Sequence, residues 1–129
     1  MRKTISNRGR SPAVEVKSVK LFLKLLFAFI FVFMVGMTIH TSLQQPIWQA
    51  HSGFVNNPWA VATLYDAYFG FITFFCWLAW RERALASKIV WFILIMLLGN
   101  IAMSLYVLIQ LFQLKSDEGV AALFQQKAA

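Results

Sequence analysis

Residues 21–39, LFLKLLFAFIFVFMVGMTI, decide the fold of this chain, because 13 of these 19 residues are Leu, Ile, Phe or Val. As a helix the segment would extend about 28 Å, close to the ~30 Å hydrocarbon core of a bilayer. It is longer than the roughly 7–15 apolar residues of a cleaved signal peptide. Lys24, near one end, can extend its amine to the headgroups. We therefore predict an uncleaved membrane span over about residues 21–40.

Two more apolar runs predict further spans, over about residues 59–80 and 89–111. The first of them opens with Asn57, Pro58 and Trp59, which indicate a helix start, because Asn accepts from free backbone amides and Pro suits the first helical turn. Composition agrees with a membrane protein: 60% of the 129 residues are hydrophobic and 13% are charged, against about 25% charged residues in soluble domains.

The predicted fold is therefore an all-α, integral membrane three-helix bundle over residues 21–112. A basic leader, residues 1–20, is expected to be disordered. The tail, residues 113–129, is polar. For this tail two alternatives stay open: a frayed end, or a short amphipathic helix that Ser116 caps and that carries Val120, Leu123 and Phe124.

Positive charge is concentrated before the first predicted span. The formal net charge is +7, and seven of the twelve Lys and Arg residues precede or open that span: Arg2, Lys3, Arg8, Arg10, Lys17, Lys20 and Lys24. The first loop carries none and the second carries three. The positive-inside rule then predicts a cytoplasmic N-terminus and second loop, with the first loop and the C-terminus outside. Modest attraction to anionic lipid follows, without a specific site.

Asp66 is the unusual residue of the second span. One Asp at the centre of a span raises the free energy of membrane insertion by about 2.5–3.5 kcal/mol. This cost offsets much of the favourable insertion free energy that the eight Leu, Ile, Phe and Val residues of this span contribute. At 100° per residue, Asp66 shares an arc of about 80° with Thr63, Gly70 and Thr73. Lipid offers no hydrogen bonds, so this polar stripe is expected to face other helices. Asn100 and Ser104 of the third span are expected at a similar depth, and Thr38 and His40 near the outer end of the first span. We predict that Asp66 meets some of Asn100, Ser104, Thr38 and His40.

Two interpretations of Asp66 stay open. Ionisable residues inside membranes often mark a proton pathway or a polar-ligand site. Alternatively, the stripe is a hydrogen-bonded cluster that fixes how helices pack. We favour packing, because the predicted spans contain no second acid and no basic partner at that depth. Gly36 and Gly99 are likewise interpreted as sites of close helix packing.

No residue pattern predicts a catalytic, cofactor or metal site. His40 and His51 are the only histidines, and His51 lies in the predicted outer loop. The single cysteine, Cys76, sits in an apolar run and is interpreted as a packing residue. Glu82, between two arginines, is interpreted as a surface charge partner worth about 0–1 kcal/mol. The phosphate-binding, hydrolase and metalloprotease motifs are missing, and the basic segment lacks the recognition helix expected for nucleic-acid binding.

One combination of residues resembles a family of small multi-pass membrane proteins of unknown function, found in bacteria and plants. It comprises Asn57-Pro58-Trp59, Leu64, Asp66, Tyr68, Trp77, Arg81-Glu82, Val90-Trp91, Gly99 and Tyr106. The resemblance covers about residues 46–111. It implies a membrane fold and singles out Asn57, Pro58, Trp59 and Asp66, but it implies no activity.

We therefore expect a non-enzymatic interaction or accessory subunit that packs against a second copy or a larger membrane protein. The bilayer is its other expected partner, and no cofactor, metal or nucleic acid is expected. One alternative is an oligomeric transport or proton-relay unit in which Asp66 titrates. A second is a membrane enzyme acting on a lipid or isoprenoid. The leader lacks the Ser-rich amphipathic pattern of organelle targeting, which favours a bacterial inner membrane.

Overall fold

A computed structural model describes residues 12–127 of the chain. It is all-α, as predicted, and residues 12–127 contain no strand. Between residues 12 and 127, five α-helices and one 3₁₀ helix follow in chain order: α1 Pro12–Gln44, α2 Ile47–Val55, α3 Pro58–Arg81, α4 Leu85–Leu98, α5 Asn100–Gln113 and the 3₁₀ helix Val120–Phe124.

The first helix begins earlier than the sequence predicted. Residues 12–20, expected to belong to a disordered leader, form the first turns of α1, and residues 1–11 lie outside the described part. Pro12 occupies the first helical position, where its fixed φ is suitable, and Glu15 lies in the first turn, where the helix dipole favours an acid. These local signals extend the helix beyond the apolar run.

The continuous helix predicted over about residues 89–111 is wrong, because the chain breaks into two helices at Gly99. Gly99 has φ 55° and ψ −122°, a conformation that an L-residue rarely adopts, and it separates α4 from α5. Each of these helices has 14 residues and extends about 21 Å, less than the bilayer core. Two helices, Lys17–Gln44 and Pro58–Arg81, are long and apolar enough to be candidate spans.

Helices α4 and α5 form a hairpin with its tip at Gly99. Halfway along α5, the hydroxyl of Tyr106 donates to Glu82, 2.8 Å away, just before α4 begins. One turn later, Gln110 accepts a hydrogen bond from Arg81 at the end of α3. Helix α5 therefore runs back towards the end of the molecule from which α4 departs.

Helix α5 forms the centre of the molecule. It packs against α1 along one side and against α4 on another. Tyr106 is fully buried, and its ring makes edge-to-face contacts with Phe74, Trp77 and Trp91, with centroids 5.0–6.2 Å apart. Such aromatic pairs contribute about 0.5–1.5 kcal/mol beyond the burial of their area. The aromatic cluster thus joins α3, α4 and α5 into one core.

A second apolar cluster joins α5 to α1 and to the tail. Val107, Leu111 and Leu123 are buried there, and Leu23 and Phe27 of α1 pack against them. Most other apolar side chains of α1 remain exposed: Phe22, Phe29 and Val32 are 63–68% exposed. A helix in the core of a water-soluble protein would have such side chains covered.

The first loop is largely helical. Helix α2 occupies Ile47–Val55, and the side-chain oxygen of Asn57 then accepts from the backbone amides of Trp59 and Ala60, 3.1 and 3.3 Å away. Pro58 is the first residue of α3. The helix start predicted at Asn57, Pro58 and Trp59 is therefore present in the structure.

Candidate functional site

The predicted stripe around Asp66 lies on an open face of α3. Asp66, Thr63 and Thr73 are all exposed, and a Cβ added at Gly70 would meet nothing within 4 Å. The hydroxyls of Thr63 and Thr73 donate to the carbonyls of Trp59 and Phe69, one turn earlier in the same helix. Among residues 12–127, no hydrogen bond joins Asp66 to another side chain.

The predicted partners of Asp66 form other contacts or are exposed. Ser104 is buried and donates to the carbonyls of Asn100 and Ile101 in its own helix, and Asn100 is exposed. Thr38 is exposed on α1, and His40 pairs with Gln44, 3.0 Å away. Within residues 12–127, none of these four side chains forms a hydrogen bond with Asp66.

The turn at Gly99 explains this arrangement. A Cβ at Gly99 would lie 2.7 Å from the ring of Phe71, so the hairpin tip lies beside that ring. Asp66 is five residues nearer the start of α3, about 7.5 Å beyond the tip. The prediction that Ser104 meets Asp66 assumed one continuous third helix, whereas α5 carries Ser104 back towards Arg81.

A polar cluster that the sequence analysis did not predict lies at the other end of α3, around Arg81. Arg81 is 6% exposed. Its Nε donates to Oε1 of Gln110, 2.9 Å away, and its Nη1 donates to the carbonyls of Ala122 and Gln125, at 3.0 and 2.8 Å. A buried guanidinium is costly unless its donors are used. Here one arginine holds α3, α5 and the tail together.

Glu82 is buried beside Arg81, so its interpretation as a surface charge is wrong. It is 6% exposed, forms an ion pair with Lys127 and accepts from Tyr106 at 2.8 Å and from Ser87 at 3.1 Å. Burial by itself would raise the pKa of Glu82. The pKa is nevertheless held below its ordinary 4.5 by hydrogen bonds from Lys127 and Tyr106, by the positive charge of Lys127 and by a hydrogen bond from Ser87.

The tail docks onto this cluster. Trp77 Nε1 donates to the carbonyl of Leu123 at 3.1 Å, the Lys127 amide donates to the carbonyl of Arg81 at 3.0 Å, and Leu123 is buried. Of the two alternatives for the tail, an ordered helix is present, although it is a 3₁₀ helix whose N-cap is Gly119 rather than Ser116. We call Arg81, Glu82, Tyr106, Gln110 and the docked tail 120–127 the tail clasp.

One residue in the sequence, Gln110, could have indicated the tail clasp. Gln110 is a polar residue within the apolar run that was assigned to the third span, and it should have prompted a search for a buried partner. The partner could not be identified, because a straight third span would carry Gln110 away from Arg81.

The described residues give no support for a metal site: within 12–127 no group of three or more His, Cys, Asp or Glu side chains could hold an ion. His51 is exposed on α2. Cys76, interpreted as a packing residue, is exposed in the single chain. The tail clasp itself contains one acid, whose oxygens are already occupied by donors, and this is an arrangement suited to holding structure.

Comparison with protein families gives one result. Residues 10–126 match the family model described as "Protein of unknown function (DUF1475)". The chain belongs to the DUF1475 family. The DUF1475 match is wider than the resemblance at residues 46–111 and includes α1, Arg81 and most of the docked tail. Comparison of this DUF1475 chain with curated proteins and with solved structures gives no match.

Proposed function

We propose that this protein is a small integral membrane protein that acts as a non-enzymatic interaction subunit. In this proposal α1 and α3 span the bilayer, and the α4–α5 hairpin enters and leaves through one face without crossing. The observation that carries the proposal is the exposed stripe of Thr63, Asp66, Gly70 and Thr73, midway along a helix of membrane-spanning length.

The surface of the two long helices supports membrane insertion. Lys17–Gln44 and Pro58–Arg81 are long and strongly apolar, and almost none of the residues in their most apolar stretches are buried within the protein. Covering such apolar area with lipid is favourable by roughly 25 cal/mol per Å². The α4–α5 hairpin can also lie within the bilayer, although each of its helices is shorter than the hydrocarbon core. Its backbone groups are hydrogen-bonded within the helices, and its tip packs against Phe71.

Charge placement supports a cytoplasmic position for the tail clasp. The start of α1, the Arg81–Arg83 segment and the docked tail share one end of the molecule, since Lys20 Nζ donates to the carbonyl of Lys115 and Arg81 binds the tail. This end collects most of the Lys and Arg residues. The positive-inside rule then favours a cytoplasmic position for both ends of the described chain, whereas the sequence alone predicted the C-terminus outside. A bacterial inner membrane is the proposed location.

The stripe supports an interaction role. An acid exposed to hydrocarbon costs several kcal/mol, and a neighbouring helix that hydrogen-bonds to it lowers that cost. Gly70 leaves space for a close backbone approach. We therefore propose that a transmembrane helix of a second copy, or of another membrane protein, covers this face of α3.

A photo-crosslinking residue introduced at Thr73 tests the proposal. Ile72 is the matched control, because it is exposed, adjacent and about 100° away around the same helix. We expect Thr73 to give one discrete protein adduct in native membranes, whose mass distinguishes a second copy from another protein, and Ile72 to give lipid adducts. Equal protein crosslinking at both positions, or none at Thr73, would overturn the proposal.

A further inference from the structure

A lysine-lined cleft lies where the start of α1 meets the segment that follows α5. The residues that line it are Lys17, Lys20, Leu21, Lys24, Leu114 and Ser116. None of these lining residues is acidic. The cleft belongs to neither the Asp66 stripe nor the tail clasp.

The three lysines share one face of α1. At 100° per residue, Lys17, Lys20 and Lys24 fall within an arc of about 60°, and the first and last are two turns apart. Glu15, the nearby acid of α1, points about 160° away from Lys17 on the same count. Three cations on one face repel each other, so a bound anion would lower the electrostatic free energy of this site.

The cleft is partly fixed before any ligand arrives. Lys20 is 7% exposed, and its Nζ donates to the carbonyl of Lys115 at 2.7 Å. An ammonium group has three donors, so two remain for an anion. Lys24 Nζ lies 4.7 Å from the ring centroid of Phe112, a cation–π contact that orients it. Ser116 also lines the cleft, and a serine hydroxyl can donate a hydrogen bond.

The surroundings of the cleft favour a lipid over a free ion. Leu21 and Phe112, next to the lysines, expose 58% and 68% of their surface. An anion with apolar chains would bind the lysines with its headgroup and cover these side chains with its chains. Basic pockets between helices on the cytoplasmic side are suited to anionic headgroups.

We propose that this cleft binds the phosphate group of an anionic phospholipid. The proposal rests on the membrane insertion proposed above. It does not depend on what covers the Asp66 stripe.

The test uses the full-length protein in phosphatidylcholine vesicles containing a trace of spin-labelled phosphatidylglycerol or spin-labelled phosphatidylcholine. The motionally restricted fraction of each label reports binding at the protein surface. We expect the wild-type protein to prefer the anionic label. The Lys17→Gln/Lys24→Gln variant should lose about fivefold in preference for each lysine removed. Lys17→Arg/Lys24→Arg, which keeps both charges, should retain the preference.

The matched control is Arg83→Gln/Lys88→Gln, which removes two charges from the same end of the molecule outside the cleft. Equal losses in both charge-removing variants would overturn the proposal, because they would show attraction to total charge alone. Loss of the preference on adding inorganic phosphate, at constant ionic strength, would also overturn it, because it would assign the cleft to a free anion. Protein that does not float with the vesicles would contradict the proposed membrane insertion, whereas protein that floats without preference would contradict the cleft alone.

Discussion

Arg81, at the last turn of α3, donates from Nε to Oε1 of Gln110, at the last turn of α5, over 2.9 Å, and both side chains are almost fully buried. The two residues are 29 positions apart in sequence. Their contact requires α5 to return to the end of α3, so this hydrogen bond depends on the α4–α5 hairpin. It also positions the Arg81 guanidinium, which binds the tail.

Replacing Arg81 by Gln should release the tail. The variant leaves the carbonyls of Ala122 and Gln125 without their charged donor, a loss of about 1.5–3 kcal/mol. Hydrogen exchange of the amides in residues 120–127 should then accelerate by at least tenfold, measured in detergent micelles. Arg83→Gln is the control: Arg83 is exposed and, among the described residues, donates one hydrogen bond, to the carbonyl of Lys127, so its effect should stay below threefold. Equal acceleration in both variants would contradict the role given to Arg81.

Replacing Gly99 by Ala should destabilise the hairpin. The φ of 55° strains an L-residue, and the new Cβ would lie 2.7 Å from Cζ of Phe71, so we expect a loss of about 1–3 kcal/mol in unfolding free energy. Unfolding in mixed micelles measures it. The control, Gly36→Ala, adds a methyl group where nothing lies within 4 Å, and it should be neutral or stabilising. A Gly99→Ala variant as stable as the wild type would exclude this backbone conformation.

Acid should weaken the tail clasp through Glu82. Because the pKa of Glu82 is lowered in the folded protein, its carboxylate stabilises the clasp above about pH 4.5, and this contribution is lost as pH falls from 4.5 through the lower folded pKa. A spin label at Gln126→Cys, with Cys76→Ala, should become more mobile in that range. Adding Glu82→Gln should remove the transition. If the transition persisted in that variant, another acid would be responsible.

The two ends of the described chain should lie on the same side of the membrane. In a Cys76→Ala background, single cysteines replacing Ser18 and Gln126 should react alike with a membrane-impermeant maleimide. A cysteine replacing Gln49 in α2 should show the opposite accessibility. Both comparisons use intact cells and inverted vesicles. Agreement of Gln126→Cys with Gln49→Cys would instead restore a complete third span.

Local sequence signals predicted much of the fold. The apolar runs at 21–39 and 59–80 predicted the two long helices, and Asn57 and Pro58 predicted the start of α3. The same signals failed at Gly99. A glycine in an apolar helix is compatible both with close packing and with a turn, and the choice depends on whether Tyr106 and Gln110 find partners after the turn.

What the sequence determined alone is the hydrophobicity of the two long helices and the start and length of α3, because these depend on residues close together in the chain. Only the tertiary structure decided that α5 turns back, that Glu82 is buried and that Asp66 stays on an open face. These outcomes depend on contacts such as Arg81 with Gln110 and Glu82 with Tyr106. The free energy of such contacts comes from burying and pairing groups that are far apart in sequence. A pattern of neighbouring residues therefore cannot predict them.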